Sequence, residues 1–119
     1  MLIDLKISCF VNSLFKSFKD LDIRVGTIIH VESFEKAIKP SYKLKIDFGK
    51  LGVLKSSAQI KKNYTPELLL GFQVIAVVNF PKKQIANFMS ECLVLGVVEG
   101  DSVILLKPDS KMENGLRIA

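Results

Sequence analysis

Ile23-Arg24-Val25-Gly26-Thr27-Ile28-Ile29-His30-Val31-Glu32 is the stretch on which the fold turns. Ile23, Val25, Thr27, Ile29 and Val31 alternate with Arg24, Gly26, Ile28, His30 and Glu32, the two-residue period of a long half-buried strand. Gly26 in its interior predicts a bulge or a sharp coil. Just upstream the period differs. Val11, Leu14, Phe15, Phe18 and Leu21 recur at threes and fours beside Lys16, Lys19 and Asp20, so a helix with one apolar stripe precedes the strand.

Downstream the two-residue period holds. Leu44, Ile46 and Phe48 alternate with Lys43, Lys45 and Asp47, giving a second strand with a charged outer face. Gly49 to Gly52 reads as a hairpin turn, and Val53 to Ser57 as a third strand. Asn63-Tyr64-Thr65-Pro66-Glu67 is a helix entry, with Thr65 as cap, Pro66 at the first helical position and Glu67 at the positive end of the dipole. Phe72 to Phe80 and Phe88 to Val98 are two further apolar strands, separated by a loop holding Lys82, Lys83 and Gln84. Val103 to Leu106 is an extra short strand ended by Pro108, and Asn114-Gly115 marks a late turn. The expected fold is all-β dominated: a five-stranded OB-fold barrel with an N-terminal helix, a short helix between strands three and four, and extra C-terminal strand.

At 119 residues the chain suits one domain, 13–119, with 1–12 as an N-terminal extension. Hydrophobic residues make up 49%, enough for a real core, so extended disorder is excluded. The longest uncharged stretch, Leu68 to Pro81, is too short for a membrane span, and no membrane insertion is expected. Met1 to Phe18 resembles a signal peptide superficially, but Asp4 and Lys6 interrupt it and no small-residue cleavage site follows. Cytoplasmic localisation with reduced thiols is the expectation. Cys9 and Cys92 lack metal-ligand spacing and His30 is the sole histidine, so neither metal nor cofactor is expected. Ser56 and Ser57 have no His or Asp partner nearby in sequence, and an enzyme is the least favoured class.

The formal charge is +5, yet Lys36 to Lys62 alone holds eight lysines against one acid, Asp47, a local +7. A focused positive field suits an anionic partner such as nucleic acid, while a lysine-studded solvent face would look the same. An OB-fold binds its ligand across strands two and three, between the 1–2 and 4–5 loops. Lys36 and Lys39 fall in the first loop, Lys43 and Lys45 on strand two, and Lys82 and Lys83 in the second loop. The nucleic-acid candidates are therefore Asn79, Lys82, Lys83, Gln84 and Ser90, supported by Lys36, Lys39, Lys43 and Lys45: lysines neutralise phosphates, and the polar side chains reach 2′-hydroxyls or phosphate oxygens. Glu91 is anomalous there and reads as structural. Tyr42, Phe80 and Phe88 are candidates for base-stacking platforms or for the walls of a peptide site, with core packing the commoner fate of a strand aromatic. Met89 beside Phe88 suits an adaptable apolar groove. The extra strand and the N-terminal stripe need covering, and a twofold-related copy would do it.

Three ordered runs carry a family resemblance: Leu21-Asp22-Ile23-Arg24-Val25-Gly26-Thr27-Ile28; Ser56-Ser57-Ala58-Gln59-Ile60 with Tyr64, Pro66-Glu67-Leu68 and Gly71; and Val78 through Glu91, continuing to Leu95-Gly96. Together they resemble the tRNA-binding domain found at the C-terminus of some methionyl-tRNA synthetases and in the endothelial-monocyte-activating polypeptide. Ser-Ser-Ala-Gln-Ile and Asn-Phe-Pro-Lys-Lys-Gln-Ile-Ala look closer still to the CsaA family of export-related chaperones. The resemblance spans roughly residues 15–119. It implies an OB-fold homodimer that binds unfolded or presecretory polypeptides and assists protein export, with structure-specific tRNA binding in trans as the alternative. Relatives that bind tRNA tend to carry glycine-rich runs in place of Ala58 and of Asn87-Phe88, a departure that bears on tRNA affinity more than on fold.

Overall fold

The computed structural model describes residues 5–119, with side chains from Phe10 onward. Helix α1 (Leu5–Asp20) precedes β1 (Ile23–Ser33), β2 (Tyr42–Asp47) and β3 (Val53–Ala58); a 3-10 turn at Gly49–Leu51 joins the last two. A one-turn helix α2 (Pro66–Leu69) leads to β4 (Gln73–Val77). Five short strands follow: β5 (Lys83–Ile85), β6 (Phe88–Ser90), β7 (Leu93–Val94), β8 (Gly96–Glu99) and β9 (Ser102–Leu105). The main sheet runs β3-β2-β1-β4-β7, all neighbours antiparallel, and curls into a nearly closed five-stranded barrel. The expected extension at 1–12 falls partly outside the described residues; from Leu5 it is part of α1. Among the described residues no helix is long and apolar enough to cross a membrane.

The barrel interior is the predicted apolar set: Leu44, Ile46 and Phe48 are fully buried with Ile28, Leu69 and Val74. Such burial contributes about 1.5–3 kcal/mol per large side chain. Thr65 caps α2, its hydroxyl accepting from the Leu68 N–H at 3.4 Å, with Pro66 opening the helix.

Two details of β1 differ from simple alternation. The bulge sits at Ile29, where the register with β2 slips between Ile28 and His30, and not at Gly26. Gly26 and Ile28 face the barrel ahead of the bulge and Val31 packs against the same core beyond it, so the extra residue Ile29 is left exposed. Gly26 serves close approach instead: a Cβ there would lie 2.6 Å from Phe48 Cε1 and 2.7 Å from Ile46 Cγ2. The second difference is a core on the outer side. Ile23 and Val25 pack with Ile75 and Val77 beneath Leu21, Leu95 and Ile118, so the β1–β4 pair is buried on both faces. The tail makes this possible: Gly115 N–H donates to the Val25 carbonyl at 2.7 Å and Ile118 N–H to Ile23 at 2.8 Å. Buried Gln73 clasps the same tail, donating to the Met112 carbonyl at 2.7 Å and accepting from its N–H at 2.9 Å.

The single strand expected over Phe88 to Val98 is three pieces. β6 pairs with β5 in a hairpin turned at Ala86, whose φ is +51°, so the expected loop at Lys82, Lys83 and Gln84 is largely strand. β7 pairs with β4, and β8 pairs with β9, the predicted extra strand.

Candidate nucleic-acid and polypeptide interface

The outer face of β1–β2–β3 is set by register. Lys45 lies opposite His30 on one side and Lys55 on the other; Lys43 lies opposite Glu32 and Ser57. Like charges directly opposite on a sheet repel. The Lys45–Lys55 juxtaposition therefore costs stability without an anion between them. At one end of this row Phe34 and Phe88 meet edge to face at 5.4 Å. Lys43 Nζ stands 4.8 Å from the Phe34 ring and 5.5 Å from Phe88, and Lys55 Nζ also reaches Phe88 at 5.5 Å. These cation–π contacts hold ammonium groups over an aromatic pair in which Phe34 is buried and Phe88 half-buried.

β3 and β7 do not form a continuous ladder, and side chains close much of the gap. Glu91 N–H donates to the Lys55 carbonyl at 2.7 Å, while Lys55 N–H donates to Glu91 Oε1 at 2.9 Å. One carboxylate oxygen thus replaces a missing strand carbonyl. The other oxygen faces Lys82 Nζ at 3.5 Å, so Glu91 joins the seam to the basic loop. Ser56 Oγ donates to the Cys92 carbonyl at 2.9 Å and Ser57 N–H to Ser90 Oγ at 3.3 Å. Burial pushes the Cys92 thiol up to about 12, against a weaker opposing hydrogen bond with Ser56, which makes it an inert wall.

The predicted residues divide by place. Lys36, Lys39, Lys83 and Gln84 share one depression of about 510 Å³ between the β1–β2 loop and the β5–β6 hairpin. Lys43 and Lys45 stand on the adjoining face, and Lys82 is tied to Glu91. Phe80 is exposed and, with Pro81, lines a smaller apolar hollow; Phe88 and Met89 are half-buried on β6. Three candidates are committed elsewhere. Asn79 fastens helix to barrel, its Oδ1 accepting from the Asp22 N–H at 2.9 Å and its amide donating to the Asp20 carbonyl at 2.8 Å. Ser90 belongs to the seam. Tyr42 is corrected from surface platform to core: it is 7% exposed, and its hydroxyl donates to the Tyr64 carbonyl at 2.9 Å. Lys55 and Gln59 join the face or its groove, and the buried Phe34 ring lies beneath Lys43, although the sequence does not single them out. Pairing the alternations of strands two and three would have found Lys55; Phe34 lies just past a strand end and gives no periodic signal.

The family model described as "Putative tRNA binding domain" matches residues 23–117. The chain belongs to this family. It is a family of binding domains. In Bacillus anthracis, the crystal structure of chaperone CsaA is 52% identical, with a TM-score of 0.85, over 88% of this chain and 96% of that one. The CsaA chaperone protein of Picrophilus torridus is 55% identical, with a TM-score of 0.83, over 88% and 97%. The methionine–tRNA ligase of Pyrococcus horikoshii is 38% identical over 104 residues. That match takes in 87% of this chain but only 14% of the ligase, so the chain spans about one-seventh of that relative's length.

Proposed function

We propose that this protein is a CsaA-type homodimeric chaperone of the cytoplasm that holds unfolded, presecretory polypeptides for export. The observation that carries the reading is likeness over almost the full length of two CsaA chaperones at more than half identity. Local chemistry agrees with it. Exposed Phe80 with half-buried Phe88 and Met89 offers adaptable apolar surface beside a basic rim. The dimer is supported by α1, where Phe10, Val11, Leu14, Phe15 and Phe18 are 41–64% exposed along one stripe. Arg117 donates to the Lys19 carbonyl at 2.6 Å and helps fix the angle at which that stripe is presented. Light scattering at micromolar protein should give twice the chain mass; a monomer mass rejects the dimer. Aggregation of a chemically denatured client, diluted into an equimolar dimer, should fall severalfold. No suppression at a tenfold excess rejects the chaperone.

A second reading, tRNA binding, is favoured by one specific observation: the opposed Lys45–Lys55 pair flanked by the Phe34–Phe88 step. Log affinity for tRNA should then fall linearly with log salt, with Lys36, Lys39, Lys43, Lys45, Lys82 and Lys83 as contributors and Gln84 as an uncharged contact. Lys82→Ala with Lys83→Ala should lower that slope by about two. An unchanged slope removes both lysines from the contact.

A further inference from the structure

Backbone groups along β3 alternate between β2 and the seam. Phe48 N–H donates to the Gly52 carbonyl, which sets the hydrogen-bonded rungs of the β2–β3 ladder and turns Lys55 and Ser57 outward. Lys55 spends both backbone groups on Glu91, and the Ser57 N–H goes to Ser90. Past that point the Ser57 carbonyl and both backbone groups of Gln59 have no hydrogen-bond partner among the described residues. An edge of this kind is a template for another strand.

What lies beside the edge gives the partner its chemistry. A cavity of about 330 Å³ opens where β3 and β7 part, its apolar walls including Ile60, Leu93, Val94, Val103 and Leu105. It shares Ser57, Gln59, Lys83 and Ile85 with the larger depression, whose far wall carries Lys36, Lys39 and the fully exposed Ile38. Among the described residues no Asp or Glu lines either space, so every charge they bring to the rim is positive. Among the described residues no aromatic ring lines either space, so they offer no surface on which a base would stack.

We propose that the seam is a strand-addition site for an extended polypeptide segment with apolar side chains at alternate positions and a net negative charge. The inference rests on the polypeptide-binding reading above and names its client. Main-chain hydrogen bonds to Ser57 and Gln59 give binding that tolerates varied sequences, alternate side chains fill the cavity, and Lys36, Lys39 and Lys83 receive the carboxylates.

The test uses the full chain and a fluorescein-labelled ten-residue peptide of alternating Glu and Val, followed by anisotropy. Two versions are N-methylated, one at every Val and one at every Glu, so each loses the hydrogen bonds of one edge while the protein is untouched. Methylation of one parity should weaken binding at least tenfold, and of the other less than threefold. Lys83→Ala should weaken the parent peptide severalfold at low salt, and an alternating Lys/Val peptide should bind at least tenfold more weakly. Equal affinity of both methylated peptides with the parent overturns strand addition, and equal affinity for Lys/Val overturns the charge preference. If bulk tRNA saturates the chain while the Glu/Val peptide does not bind, the segment proposal falls. Aggregation suppression that persists in any of these cases leaves the chaperone reading standing, whereas its absence in the unaltered protein removes that reading itself.

Discussion

The two sides of the barrel are closed by different means. Between β1 and β2, and between β2 and β3, backbone rungs and a buried row of Ile28, Leu44, Ile46 and Phe48 fix the register. Between β3 and β7 the work falls to individual side chains: Glu91, Ser56 and Ser90. Redundant contacts make the first side rigid. The second depends on a few groups and opens into cavities where those groups run out. Stability and access to ligand are thereby separated within one small domain.

The comparison predicts a large loss on the first side. Phe48→Ala empties a fully buried site against Gly26 and should cost about 3–5 kcal/mol in urea denaturation. On the seam the loss should be smaller and chemically selective. Glu91→Ala strands the Lys55 N–H and should cost about 1–3 kcal/mol, while Glu91→Gln keeps an acceptor oxygen and should cost less than half as much. Amide exchange at Lys55 should quicken in the alanine variant only. Equal costs for Phe48→Ala and Glu91→Ala would break the distinction between the two sides.

This division also governs how much the sequence discloses. Strands two and three, the Gly49–Gly52 turn, the capped helix at Thr65 and the late turn at Asn114 were legible because period and turn chemistry act locally. The Ile29 bulge was not, since Ile28 and Ile29 are chemically alike and only the pairing partner decides which is buried. Nor was the division of Phe88 to Val98, because the interruption depends on a carboxylate standing in for a distant strand. The spacing of the loop lysines was enough to bring Lys36, Lys39 and Lys83 to one depression. The internal bonds of Asn79 and Ser90 and the burial of Tyr42 were not legible, because polar and aromatic side chains near a ligand loop serve equally well as struts.

Cys92 tests the seam's wall through pH. Its thiol is raised from 9.0 to about 12 in the folded protein, so the unfolded chain loses this proton first. The contribution to stability is complete below pH 9 and declines as pH rises from 9 towards 12. At pH 8 the peptide containing Cys92 should resist iodoacetamide in the native protein and react once the chain is unfolded. Glu91→Ala should raise native labelling severalfold; native labelling as fast as unfolded labelling would show the wall to be open.

The smallest expected effect has the opposite sign. Lys45 and Lys55 face each other on a non-hydrogen-bonded rung, where opposed side chains come closest, and Lys43 stands two residues along the same face. Replacing either by Ala removes a repulsion and should stabilise the protein by about 0.2–1 kcal/mol at low salt, with the gain shrinking as salt is added. The same replacement should lower the salt slope for tRNA by about one. Stabilisation coupled to weaker polyanion binding would mark the pair as kept for a ligand at the fold's expense. Destabilisation would instead assign the aliphatic stem of Lys55, beside Phe88, a packing role larger than its charge.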